Sequence, residues 1–122
     1  MDDSTTERLS GGELNAALTR EVVRIHTANL GRGPNKSFSF HNGNVVVTVL
    51  QDVLTKAERN LAENEHGDAV LAMRSLFQRT MAEEMKESVE RLTGLEVVAC
   101  MGDNHLDPDM AVEVFILDEP LA

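Results

Sequence analysis

The chain has 122 residues, of which 42% are hydrophobic, 26% are charged and 3% are aromatic. These proportions exclude a disordered chain and are those of a globular domain, which at this length buries a core without disulfide bonds. The scarcity of aromatic residues predicts a core of aliphatic side chains and methionine.

The net charge of −10 resides in the second half of the chain. Residues 61–122 contain fourteen Asp and Glu against four Lys and Arg, whereas residues 1–60 contain seven of each kind. An acidic surface repels phosphate backbones and anionic lipids. We therefore expect neither a nucleic-acid partner nor direct insertion into a membrane.

The single cysteine, Cys100, excludes a disulfide framework and a thiolate zinc cluster, and we expect no cofactor. Residues 1–9 are polar, have the character of a flexible terminus and lack the apolar region of a signal peptide. No run approaches the roughly 20 apolar residues of a membrane span. We expect a cytoplasmic protein with one domain over residues 10–120.

The first predicted element is a helix of about 18 residues. Ser10 followed by Glu13 predicts a capping box at its start. Apolar residues then recur at helical spacing, at Leu14, Leu18, Val22 and Ile25. The helix should end at residues 29–34, Asn-Leu-Gly-Arg-Gly-Pro, because glycine adopts positive φ and proline does not continue a helix.

A β-hairpin is predicted next. Phe38 and Phe40 alternate with serines, valines alternate on the returning strand, and Asn42-Gly43 is typical of a two-residue type I′ turn. With that loop, Phe38 faces Val47, Phe40 faces Val45 and His41 faces Asn44. The phenylalanines and valines then share one face of the sheet.

Two helices and two strands complete the predicted fold. A capping box at Thr55 and Glu58 predicts a short helix, and a long helix follows over Asp68–Leu92, ended by Gly94. The strand-like runs are Leu95–Met101 and Met110–Leu117, joined by a polar loop over Gly102–Asp109.

The last strand is apolar on both faces, since Phe115 and Leu117 lie on the same side as Glu113 while Val112, Val114 and Ile116 lie on the other. Such a sheet needs cover on both sides. We predict a two-layer α+β fold in the order α-β-β-α-α-β-β, with a four-stranded, mostly antiparallel sheet. One face should pack on the helices and part of the other in a homodimer.

The turn Gly31-Arg32-Gly33 is the candidate ligand site. Backbone N–H groups beside a guanidinium can hold a small anion. The turn lacks the Lys-Ser/Thr pair and the following helix of a phosphate loop. We therefore favour a simple helix stop and keep the anion site as the alternative.

The candidate metal site is the alternating set Asp103, His105, Asp107 and Asp109. Hard cations prefer clustered carboxylates, but the loop lacks the glycine and the closing glutamate of a calcium loop. A solvated turn is the favoured interpretation. The sequence also lacks HExxH and serine-elbow motifs, so we expect no catalytic site and favour a non-enzymatic function.

The order of motifs resembles the MpsC-type bacterial domain. The resemblance covers residues 11–120 and is carried by GRGP, the hairpin, NVVVTVLQDVLTKAERNL, a long helix ending in VERLTG, and EVVACMG followed by LDPDMAVEVFILDEP. The family has no established molecular function and is named after a sodium-linked, membrane-potential-generating transport system. The resemblance implies an accessory role beside a cation or bicarbonate uptake system, with no established catalytic residues.

This sequence departs from the family pattern in two places. Relatives often carry Gly where this chain has Asp52, and the loop around Asp103 also differs. Both differences count against a ligand role shared with relatives at these positions.

Three functions remain open at this point. The leading hypothesis is a non-enzymatic, dimeric regulatory module that binds a protein with a basic surface, for example in a membrane transport system. The alternative is a sensor of bicarbonate, phosphate or a carboxylate, bound by Gly31, Arg32 and Gly33. The least favoured is a metal-dependent hydrolase that uses the loop of residues 103–109.

Overall fold

The computed structural model describes residues 8–122, so the expectation for residues 1–9 falls mostly outside the described part. The elements are three helices and four strands. They are α1 (Gly11–Leu30), β1 (Lys36–Asn42), β2 (Val45–Gln51), α2 (Lys56–Glu63), α3 (Gly67–Thr93), β3 (Val97–His105) and β4 (Met110–Leu117). The predicted α+β order is confirmed.

The four strands form one antiparallel sheet in the order β1-β2-β4-β3. Helices α1 and α3 pack on each other and on one face of this sheet, α1 mainly over β1 and α3 over β3, while α2 packs on α3. The molecule therefore has two layers, as predicted.

Both long helices end as the sequence predicts. Gly31 and Gly94 adopt positive φ angles of 82° and 73°, and their N–H groups donate to the carbonyls of Thr27 and Glu90. The capping box of Thr55 and Glu58 is also present. The predicted box at Ser10 is wrong, because the Ser10 side chain makes no capping hydrogen bond.

The core between the helices and the sheet is almost wholly aliphatic, as expected. Fully buried side chains come from the apolar stripes of the helices and from alternate strand positions. They include Leu14, Leu18, Val22, Ile25, Val46, Leu50, Met85, Val89, Phe115 and Leu117.

The hairpin register differs from the prediction. Asn42 pairs with Val45, Phe40 with Val47 and Phe38 with Val49, so the two-residue loop is Gly43-Asn44. Of the two loop residues only Gly43 has positive φ, at 61°, which fits a type II′ turn with glycine first. The shift moves the pairing by two residues and therefore leaves every side chain on its predicted face.

Strand β3 is longer than the sequence predicts. It continues through Gly102 to His105, so the connection to β4 shortens to residues 106–109. The polar residues 103–105 read as a loop in the sequence, but pairing with the apolar strand β4 holds them in the sheet. Within residues 8–122, no helix combines the length and apolar character needed to cross a membrane.

Candidate functional site

The GRGP turn lies beside the segment that follows β2. The Arg32 guanidinium contacts the Asp52 carboxylate at 2.9 Å and also donates to the Asp52 carbonyl at 3.3 and 3.4 Å. The Gly31 N–H caps α1, and a Cβ at Gly33 would lie 2.9 Å from Oγ1 of Thr27. Arg32 is thus bound to a carboxylate of its own chain, and an external anion at this turn stays a prediction.

Asp52 connects this turn to α2 and to the loop before β4. It has a positive φ of 62°, a conformation that glycine adopts without strain. Arg59 of α2 lies between two carboxylates, with Nη2 2.9 Å from Asp52 and 3.4 Å from Asp109. The Asp109 carboxylate accepts the N–H groups of Val53 and Leu54 at 3.0 and 3.1 Å.

Arg74 of α3 forms a buried ion pair on the inner side of the same segment. Only 1% of Arg74 is exposed, and its Nε donates to Glu58 at 2.7 Å while Nη2 donates to the Val53 carbonyl at 3.0 Å. Burial alone would raise the pKa of Glu58, but hydrogen bonds from Arg74 and Thr55 outweigh it and lower this pKa.

His26 of α1 completes this buried cluster. Its Nε2 lies 3.2 Å from Nη1 of Arg74 and accepts a hydrogen bond from it. Burial and the charge of Arg74 lower the pKa of His26 to about 4, so the ring is neutral at pH 7. Nδ1 has no hydrogen-bond partner among the described residues.

These contacts define a charged junction, formed by Arg32, Asp52, Arg59, Asp109, Glu58 and Arg74. It holds residues 52–54 from both sides, because Asp109 accepts their N–H groups while Arg32 and Arg74 bind their carbonyls. The junction thereby joins GRGP to the segment that carries VLTKAE, two of the motifs on which the family resemblance rests. A cleft of about 470 Å³ lies beside it, lined by Asp52, Leu54, Arg59, Ala62, Glu63, Leu106, Asp107 and Asp109.

The candidate metal-ligating residues of the last loop are not gathered around one point. Asp109 belongs to the junction, Nδ1 of His105 binds the Pro108 carbonyl at 2.8 Å, and Asp103 accepts the Asn104 N–H at 2.8 Å. Within the described residues, no group of three or more His, Cys, Asp or Glu side chains could hold a metal ion.

The sheet face opposite the helices is the second notable surface, and we call it the open face. It is formed by every second residue of the strand segments 36–42, 45–51, 99–105 and 110–116. Its two central rows are Phe40-Val47-Val114-Met101 and Phe38-Val49-Val112-Asp103. Apart from Asp103, every side chain in these rows is apolar.

The exposure of this face is largest at its edges. Phe38, Phe40 and Met101 are 43%, 47% and 53% exposed, and the two phenylalanine rings stack with centroids 6.4 Å apart. Contiguous apolar patches of this kind on soluble proteins often mark binding surfaces.

Strand β1 is reversed at its centre relative to an ordinary edge strand, because the polar side chains of Ser39 and His41 face the helices. Oγ of Ser39 lies 2.6 Å from Oγ1 of Thr19 on α1 and 2.7 Å from Oγ1 of Thr48 on β2. His41 lies 2.7 Å from Oδ1 of Asn15 on α1. The phenylalanines of β1 therefore face away from the helical layer.

Glu113 is a buried acid on the helix side of β4. It is 2% exposed and accepts a hydrogen bond from Gln78 of α3 at 2.8 Å. Burial raises the pKa of Glu113 to about 7, although the bond from Gln78 acts in the opposite direction. Burial and the nearby Glu113 also raise the pKa of the Cys100 thiol to about 11, which makes it a poor nucleophile at neutral pH.

No ion-pair role was predicted from the sequence for Arg74, Glu58 or Asp52. A signal was present for Arg74, which lies four residues after Val70 on the apolar stripe of α3. A charge at such a position needs a buried partner. Nothing in the sequence identified Glu58 as that partner, since its capping role already explained it.

Comparisons with known proteins agree with the resemblance noted in the sequence. The family model described as "Na+-translocating membrane potential-generating system (MpsC)" matches residues 10–119. The uncharacterized protein YrhF of Bacillus subtilis (strain 168) is 27% identical over 102 residues, which cover 82% of this chain and 84% of the relative. No solved structure matches the chain significantly.

Proposed function

The chain belongs to the MpsC family, and from that premise we propose that it is a non-enzymatic accessory module of a membrane-potential-generating system that works as a homodimer. The printed family description links the family to such a system. The cation or bicarbonate specificity of that system is part of the proposal.

The observation that carries the proposal is the apolar open face. Phe38 and Phe40 of β1 point away from the helices, although Ser39, which lies between them, could have done so at lower cost. Aromatic side chains that point outward support the proposal that this surface is buried in the working assembly. Protein–protein contact is thus the activity that this geometry supports best.

The charged junction supports the same function because it makes this end of the molecule rigid. Its ion pairs are satisfied within the chain, with Glu58 bound by Arg74 and Asp52 bound by Arg32 and Arg59. Such an arrangement holds α2 and the end of the sheet in place. A module that presents a fixed surface to its partners needs that kind of support.

The acidic second half of the chain supports a partner of opposite charge. Residues 61–122 carry the whole net charge of −10, and charge complementarity increases the rate and the selectivity of association. The proposed partner is a basic cytosolic surface of the membrane system, and its binding should weaken as salt is added.

The test is the membrane potential of the source organism, measured with a voltage-sensitive dye. Deletion of the gene should lower the potential, and the wild-type gene should restore it. The Phe40→Glu variant should not restore it, whereas Leu76→Glu should, because Leu76 is a comparably exposed apolar residue on α3. An unchanged potential after deletion would refute the proposed function.

A further inference from the structure

We propose that the open face is covered by a second copy of the chain, packed face to face about a twofold axis that runs parallel to the strands between β2 and β4. This inference rests on the homodimer in the proposed function and specifies its geometry. Area, charge and symmetry each support it.

The area of the open face is close to the area that a specific pair needs. Four strands spaced about 4.8 Å apart and seven residues of about 3.3 Å each give a flat area of roughly 440 Å². Two such faces bury roughly 900 Å² if each is treated as flat, and the protruding side chains add to this area. That value approaches the total of about 1,000 Å² that a specific interface needs.

The chemistry of the face fits a copy of itself better than a different, transient partner. The cores of homodimer interfaces are more apolar than those of complexes that form and separate. Here the centre of the face consists of Val47, Val49, Val112 and Val114, with aromatic and methionine side chains at its two edges. A surface of this kind suits a permanent partner, which a second copy of the chain provides from the time of folding.

The formal charges on the face select the direction of the axis. Among the strand residues, alternation places Lys36 on β1 and Asp103 on β3 at the same end of the face but at opposite edges. A twofold axis parallel to the strands places the β1 edge of one copy over the β3 edge of the other. Each end of the face then lies over the same end of the partner's face. This axis therefore brings Lys36 of each copy to the corner that holds Asp103 and His105 of the other.

The same axis also matches the apolar edges. Phe40 and Met101 occupy one row, on β1 and β3 respectively, and each is about half exposed. After the exchange of edges, Phe40 of one copy lies over Met101 of the other, a favourable sulfur–aromatic contact. An axis perpendicular to the strands would instead place Lys36 over Asn42 and leave Asp103 without a basic partner.

The inference is tested by charge reversal, with the dissociation constant of the dimer measured by sedimentation. Lys36→Asp and Asp103→Lys each create two like-charge pairs per dimer, and each should weaken the dimer by about tenfold. The double variant restores the pairs with reversed polarity. Its dissociation constant should return to within about threefold of the wild-type value.

Matched controls separate the local pairs from the change in net charge. Glu87→Lys changes the charge as Asp103→Lys does, and Arg79→Asp changes it as Lys36→Asp does, but both lie on the exposed side of α3. Because two acidic copies repel each other, Glu87→Lys should tighten the dimer slightly. Asp103→Lys should weaken it, the opposite result.

Three outcomes would overturn the inference. They are a wild-type chain that is monomeric at micromolar concentration, an Asp103→Lys variant that dimerises as tightly as Glu87→Lys, and a double variant no tighter than its weaker parent. Circular dichroism of each variant is the control for folding. The result is independent of the membrane-potential test, since this geometry could hold in a protein that serves another system.

Discussion

Glu113 of β4 occupies the space that a side chain at Gly102 of β3 would need. The two residues are paired across the sheet, and a Cβ at Gly102 would lie 2.5 Å from Oε1 of Glu113 and 2.6 Å from Oε1 of Gln78. The glycine therefore makes room beneath α3 for a carboxyl group and its amide partner.

The first prediction is that Glu113→Gln stabilises the chain at high pH. The pKa of Glu113 is about 7 in the folded state and near 4.5 when unfolded, so the folded state prefers the protonated acid. Stability is lost as pH rises from about 4.5 to 7 and stays reduced above that range. At 1.36 kcal/mol per pKa unit, the loss between pH 5 and pH 8 is about 2–3 kcal/mol.

The measurement is urea unfolding of the wild type and the variant at pH 5 and pH 8. The difference between the two proteins should grow with pH by that amount, while Glu87→Gln, on the exposed face of α3, should show no such trend. Parallel pH profiles for the wild type and Glu113→Gln would contradict the prediction.

The second prediction is that Gly102→Ala destabilises the chain by about 1–3 kcal/mol, because the new methyl group overpacks the site. In a Glu113→Ala background the same change should cost less than about 1 kcal/mol, since the main obstacle is gone. Unfolding free energies of the four proteins form a double-mutant cycle. Equal costs in both backgrounds would show that the two residues do not compete for space.

The third prediction compares two arginines that bind carboxylates. Arg74→Met should destabilise the chain by about 3–5 kcal/mol, because it leaves Glu58 buried without a counterion. Arg59→Met removes a pair whose arginine side chain is 47% exposed, and should cost at most about 1 kcal/mol. Chemical denaturation measures both values, and similar costs would contradict the assignment of Arg74 to the core.

The fourth prediction concerns the anion site at Gly31, Arg32 and Gly33. An anion that binds there must compete with the Asp52 carboxylate, which lies 2.9 Å from Arg32. If the site is real, bicarbonate, phosphate or a small carboxylate raises the melting temperature of the wild type but not of Arg32→Ala. No rise in the wild type with any of these anions ends the prediction.

Much of the fold could be predicted because local signals agreed with tertiary packing. The apolar stripe of α1, the glycines that end α1 and α3, and the alternating valines of β2 all specify one structure. The predicted assignment of β1 and β2 side chains to the two faces of the sheet is correct although the loop is Gly43-Asn44, because a shift of two residues preserves the faces.

The errors arose where tertiary contacts override local chemistry. Residues 103–105 have the composition of a turn, yet backbone pairing with β4 extends β3 through them. Ser10 has the spacing of a capping box, but its side chain does not cap α1.

The charged junction was hidden for a related reason. Its members come from positions as far apart as Arg32 and Asp109, and all but Arg74 have an ordinary local explanation as a cap, a turn residue or a helix-surface charge. Only the packing of α2 and α3 brings Glu58 to Arg74. The open face, by contrast, was visible in the sequence because strand alternation alone assigns side chains to faces.

The most direct test of the central claim is the mass of the chain in solution. Sedimentation equilibrium at about 10 µM should give twice the 13.4 kDa of one chain, and added salt should favour the dimer by screening the repulsion between two acidic copies. Phe40→Glu should be a folded monomer, while Leu76→Glu should remain a dimer. A wild-type mass of 13.4 kDa that persists across salt concentrations would contradict the claim that a second copy covers the open face.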